Sequence, residues 1–164
     1  MLDTYAKILG NHAADVIKRT SDLVPNEIKI CSQPETLPNC ELAVRIDFKG
    51  ALSDNEKVSG YVMCGSIKKE QSRPLIASIS RHLGLDEGLI DTPEGPVNIV
   101  SEFLNIVIGL TGADWAEHGF DMKFSIPSDL SGQDPPVLSG SEEIYHIVVT
   151  TSSHDRVDLL AVFR

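Results

Sequence analysis

Apolar side chains recur at three- and four-residue steps through Leu2, Ala6, Leu9, Ala13, Val16 and Ile17. That period predicts an amphipathic first helix of about 20 residues. Ile28 and Ile30 then flank Lys29 in a short strand, and Leu42, Val44, Ile46 and Phe48 alternate with polar or small partners, the period-2 mark of a half-buried strand. Ser53-Asp54-Asn55 supplies turn chemistry, so residues 58–65 read as the returning strand of a hairpin. Ser72 and Pro74 stand before Leu75, Ile76, Ile79 and Leu83, with Gly84 as a stop, which predicts a helix of about three turns with Ser72 near its N-cap. An acidic connection punctuated by Gly and Pro covers 85–94, and the most apolar helix of the chain runs from Pro96 to near His118. Met122, Phe124 and Ile126 alternate towards Pro127, a loop spans 128–141, and residues 144–151 and 157–163 form a terminal hairpin. No internal repeat interrupts this order. Strands fall in antiparallel-looking pairs with helices between them, so the expected class is α+β: one domain over 1–164, a mostly antiparallel sheet with helices packed on one face.

Composition narrows the partners. The 164 residues carry 24 acidic and 14 basic side chains, a net charge of −10, with no Lys/Arg cluster. A nucleic-acid backbone or an anionic membrane surface is therefore not expected as a partner. Hydrophobic residues make up 41% of the chain, enough to offset the entropy of ordering. Cys31, Cys40 and Cys64 are odd in number and widely spaced, which suggests neither a disulfide framework nor a zinc site and fits a reducing cytoplasm. The N-terminus lacks the basic start of a signal peptide, and no stretch is expected to span a membrane.

One helix breaks its own pattern. The segment from Pro96 to Gly112 is apolar nearly all round, as in a helix buried on most faces. Yet Asn98, Glu102, Asn105, Gly109 and Gly112 step by four, three, four and three residues, which at about 100° per residue confines them to about 80° of the helix surface. A carboxylate and two amides are costly in a dry core, so this seam must face water, a polar partner or a neighbour that satisfies it. Two glycines within about one turn each cost about 1 kcal/mol relative to Ala, which suggests a close approach by something. Periodicity leaves two readings open: helix packing through the glycines beside an ordinary solvated Glu102, or a docking face.

Glu102-x-x-Asn105-x-x-x-Gly109 resembles the signature helix of the CheC/CheX/FliY phosphatases of bacterial chemotaxis. The surrounding order fits the CheX-like branch: strand 58–65, a Ser/Pro-started helix, an acidic linker, the signature helix, a strand ending near Pro127 and the Ser131-Gly132-Gln133 turn. The likeness covers roughly Val58 to Gln133 and is weak over the first 50 residues. It implies a CheX-like fold and hydrolysis of the phospho-aspartate on a CheY-like response regulator. Under that resemblance Asn105 positions the attacking water, Glu102 contacts the receiver's lysine, and Asn98, Gly109 and Gly112 belong to the partner-binding surface. No cofactor of its own is implied, since Mg²⁺ would sit on the receiver; a homodimer is an option in that branch. The chain departs from the family pattern at Asn98, where Asp or Ser is common, and at Leu104, where a small residue is common and bulk is expected to limit close approach. Only one complete Glu-x-x-Asn helix is present. The alternative is a binding module of the same fold that contacts a signalling partner without hydrolysis.

Other constellations carry less. Asp114, Glu117, His118 and Asp121 cluster beyond the seam, but Gly119 interrupts them, and a solvated helix end is the expectation rather than a metal site. His146 and His154-Asp155 lack a nucleophile motif, and no glycine-rich phosphate loop or aromatic stacking platform occurs.

Overall fold

A computed structural model describes residues 2–35 and 39–164 of the chain. Helix α1 (Leu2–Thr20) is followed by β1 (Pro25–Ser32), the long hairpin β2 (Leu42–Leu52) and β3 (Lys57–Ser66), and α2 (Lys69–His82). A 3-10 turn at Glu87–Asp91 leads into α3 (Gly95–Glu117), then β4 (Phe120–Phe124), β5 (Ser128–Asp129), β6 (Glu143–Thr151) and β7 (Arg156–Phe163). Strand pairing is antiparallel throughout, in the order β1-β6-β7-β3-β2-β4, with β5 also on β2. The α+β class and its antiparallel sheet stand as the pattern predicts.

The three helices cover one face. Leu9 and Ile17 of α1, Leu75 and Ile79 of α2, and Ile99, Phe103 and Leu104 of α3 pack on Val44, Ile46, Val62, Ile147 and Leu159 of the sheet. Each such side chain, once fully buried, contributes about 1.5–3 kcal/mol. The opposite face is not bare. Tyr61, Met63, Leu160 and Val162 are buried there under Cys40, Leu130 and Leu138. Central strand β7 is thus buried on both faces, which is why 157–163 reads as an apolar run rather than an alternation.

Local corrections have physical causes. Helix α2 begins at Lys69, so Ser72 lies inside its first turn instead of capping it: Ser72 Oγ donates to the Lys69 carbonyl at 3.1 Å and bonds Ser66 Oγ at 2.8 Å, tying the helix to the end of β3. Pro74 sits inside the helix, where its missing N–H removes one backbone bond. The acidic connection holds the 3-10 turn, whose cap Asp86 accepts from the Gly88 N–H at 2.8 Å. Strand β4 stops at Phe124, and Ile126 projects outside it at 85% exposed. Helix α3, contrary to the expectation from sequence, is long and apolar enough to cross a membrane by length and composition. One side of it packs into the core instead, through Ile99, Phe103, Leu104, Val107 and Trp115. The other side, Leu110 included, is exposed, so the helix is not buried on most faces as its apolar composition suggests.

Both ends of α3 are fixed. At the start, a Cβ on Gly95 would lie 1.6 Å from the Leu89 carbonyl oxygen, so only glycine lets the 3-10 turn close on the helix. At the other end Trp115 is fully buried; its Nε1 donates to the Tyr5 carbonyl at 3.0 Å, and Tyr5 OH donates to the His118 carbonyl at 3.0 Å. Phe48, Phe120 and Phe163 pack round the indole. These anchors set the rotation of α3 about its axis, and with it the direction of the seam.

Candidate functional site: the outward seam of helix α3

With Ile99, Val100, Phe103, Leu104, Val107, Ile108, Thr111 and Trp115 turned inward, the opposite side of α3 must carry whatever stands between them. Asn98, Glu102, Asn105 and Gly109 are all exposed there. Glu102 and Asn105, three residues apart, place their Cβ atoms about 5–6 Å from one another on one face. Among the described residues, no hydrogen bond or ion pair engages the side chain of Asn98, Glu102 or Asn105. The seam therefore offers one carboxylate and two amides, with their hydrogen-bonding capacity uncommitted, on a rigid helix.

The two glycines part company. A Cβ at Gly109 would meet nothing within 4 Å, so no neighbour inside the molecule requires glycine there. A Cβ at Gly112 would lie 2.7 Å from the ring of Phe124, and Gly112 is only half exposed. Gly112 thus serves the packing of β4 on α3. Gly109 remains an open notch beside Asn105. Leu104 is fully buried. One residue from Asn105 turns the helix by about 100°, which points the Leu104 side chain into the core and away from any partner at the seam. The expected limit on close approach does not arise.

Neighbouring ionisable groups are engaged elsewhere. Asp114 Oδ2 lies 2.8 Å from His12 Nε2 and joins α3 to α1, a contact that no local pattern announces because 102 residues separate the pair. His118 Nδ1 bonds the Asp114 carbonyl at 2.7 Å. On the far side of the sheet, Asp158 meets His146 at 2.7 Å and Arg156 Nε at 2.7 Å. Burial pushes the Asp158 carboxyl up, but hydrogen bonds from Arg156 and His146 outweigh it and hold the group below the usual carboxylate range. Burial raises the Cys40 thiol to about 11 and the Cys64 thiol further, so both stay protonated and neither is a ready nucleophile.

No family model matches the sequence, and no curated protein matches it. Solved structures do. CheX from Vibrio vulnificus superposes with a TM-score of 0.71 at 18% identity, covering 98% of this chain and 99% of that one. CheX from Desulfovibrio desulfuricans gives 0.69 at 14% identity, with 98% and 99% covered. The chain has the CheX/CheC fold. A third CheX-like match, from Borrelia burgdorferi, is a CheX–CheY complex with BeF3 and Mg²⁺, at a TM-score of 0.69 and 14% identity over 98% of this chain and 97% of that one. The CheX-like likeness runs through the first 50 residues too, where sequence resemblance is weak.

Proposed function

We propose that this CheX-like protein accelerates hydrolysis of the aspartyl phosphate on a CheY-like response regulator in the cytoplasm. Asn105 orients the attacking water in line with phosphorus, and Glu102 pairs with the receiver's lysine. The observation that carries the reading is the state of the seam: Glu102 and Asn105 stand exposed, side by side and uncommitted, next to the Gly109 notch, on a helix whose other side packs into the core. The CheY bound to a protein of this fold supports a receiver as the partner.

The chemistry asks little more than this. An acyl phosphate is already reactive, so fixing a water in line and holding the phosphoryl environment in place supplies acceleration without a strong base. An amide suits the task because it donates and accepts hydrogen bonds while remaining neutral. Glu102 offers the carboxylate that a lysine on the partner would meet, which fixes the register of docking. One carboxylate with two amides suits hydrogen bonding better than holding Mg²⁺, which favours several oxygens in an octahedron; the ion would sit on the receiver.

The test follows decay of a phosphorylated receiver from the same cell, with and without the protein. Faster decay with wild type, reduced about a hundredfold in Asn105→Ala while receiver binding persists, is the expected result. Tight binding with unchanged decay would make the protein a non-catalytic module. Acceleration that survives Asn105→Ala would overturn the role given to that amide.

A further inference from the structure

We infer that Ile126 is a receiver-docking residue of this site, an exposed apolar side chain flanking the seam that a CheY-like receiver buries on binding. The inference rests on the phosphatase reading above and adds a contact outside the helix.

Strands β4 and β5 form one interrupted edge. Phe124 pairs with Phe48, and the Ser125 N–H donates to the Asp47 carbonyl at 2.8 Å; pairing resumes with Ser128 on Arg45 and Asp129 on Val44. Ile126 and Pro127 thus stand opposite the single residue Ile46, which is a bulge. Pro127 has no N–H to give the ladder, so the edge must open there. The opening is nevertheless fixed: Ser125 Oγ accepts from the Asp47 N–H at 2.9 Å and donates to the Ile126 carbonyl at 2.9 Å. A held backbone therefore presents an isoleucine that is 85% exposed.

Its place follows from the packing of β4 on α3. After the turn at His118 and Gly119 the chain runs back along the helix, and Phe124 meets Gly112. Two residues further along an extended chain advance by about 6.6 Å. Gly109 and Asn105 lie about 4.5 and 10.5 Å back along the helix from Gly112. Ile126 therefore lies on the stretch of edge that runs back from Gly112 towards Gly109 and Asn105. Asn105 and Gly112 differ by only about 20° around the helix, so both lie on the β4 side. An exposed apolar side chain is ordinary by itself. Val137, 93% exposed, is one of those: it lies on the segment covering the opposite face, away from α3. Ile126 differs in standing on a backbone held by Ser125, two residues past the Phe124 ring that packs on α3.

The decisive measurement is the split between KM and kcat for phospho-receiver hydrolysis, with affinity for the beryllofluoride-activated receiver. Ile126→Ser and Ile126→Glu should raise KM and Kd about tenfold or more, the loss falling on KM rather than kcat, because the contact acts in docking and not on the reacting atoms. Ile126→Leu should restore most of the affinity, and Val137→Ser should change neither constant. Unchanged KM and Kd in both polar Ile126 variants, with wild type active, would overturn the inference and leave the proposed function standing. A wild type that neither binds nor dephosphorylates any receiver would remove the function and this contact with it.

Discussion

Gly109 and Gly112 show how little of a residue's role its identity discloses. Both were visible in the sequence as helix-interior glycines on one stripe, yet one faces open solvent and the other a phenyl ring. Gly109→Ala should raise stability by about 0.5–1 kcal/mol, since Ala is the better helix former and its methyl meets nothing. The same change should lower phosphatase activity if the notch admits the receiver. Gly112→Ala should gain less stability or none, because its methyl would press on Phe124. Thermal melts of the two variants check the contrast, and equal gains would contradict the packing assigned to Gly112. Pro127 was likewise legible as a strand end, but the exposure of Ile126 was not. Alternation with Met122 and Phe124 pointed it inward, and only the register on β2 reveals the bulge.

At the scale of elements, the rotation of α3 decides the site. Its apolar residues fixed an inward side by periodicity, while the closure of the 3-10 turn on Gly95 and the Trp115 to Tyr5 bond hold the setting in three dimensions. Leu104 gives the sharpest check. Leu104→Ala should cost about 2–5 kcal/mol in urea unfolding, as a fully buried leucine truncated to a cavity does. Receiver hydrolysis, measured where the variant is still folded, should stay close to wild type because the seam is untouched. An increase in activity with no loss of stability would instead place Leu104 at the partner surface. The buried faces of α1 and α3 were readable from their spacing; the His12 to Asp114 link between them was not, since it depends on how two distant helices cross.

For the whole molecule, the net charge of −10 gives no general attraction to an acidic partner, so the proposed docking would rest on local contacts at the seam. Charge also sets the response to acid. Asp158 and Glu142 secure the face opposite the helices: Asp158 through Arg156 and His146, Glu142 through the N–H groups of Ser139 at 3.0 Å and Gly140 at 2.9 Å. The Ser139 backbone bond leads in holding the Glu142 carboxyl down at about 2. Both groups have lower pKa values folded than unfolded. Their contribution is therefore present above the ordinary carboxylate range, near pH 4, and is lost as pH falls through the folded values. Stability measured by denaturant titration from pH 6 to pH 2 should fall steeply below about pH 4. Asp158→Asn should be less stable at pH 6 by about 1–3 kcal/mol and show a shallower fall, because the part-exposed Arg156 guanidinium loses the buried carboxylate it bonds. An unchanged slope would remove Asp158 from the acid response.

Sequence alone determined the class, the order of the main strands and helices, the long apolar helix and the polar stripe along it. All of these are periodic signals, written locally in which side chains avoid water. Tertiary structure decided which way that stripe turns, which glycine meets a neighbouring ring, where Leu104 points and how Ile126 comes to be exposed at the edge. Those outcomes depend on contacts between residues far apart in the chain, and on a one-residue slip in strand register that no local pattern records.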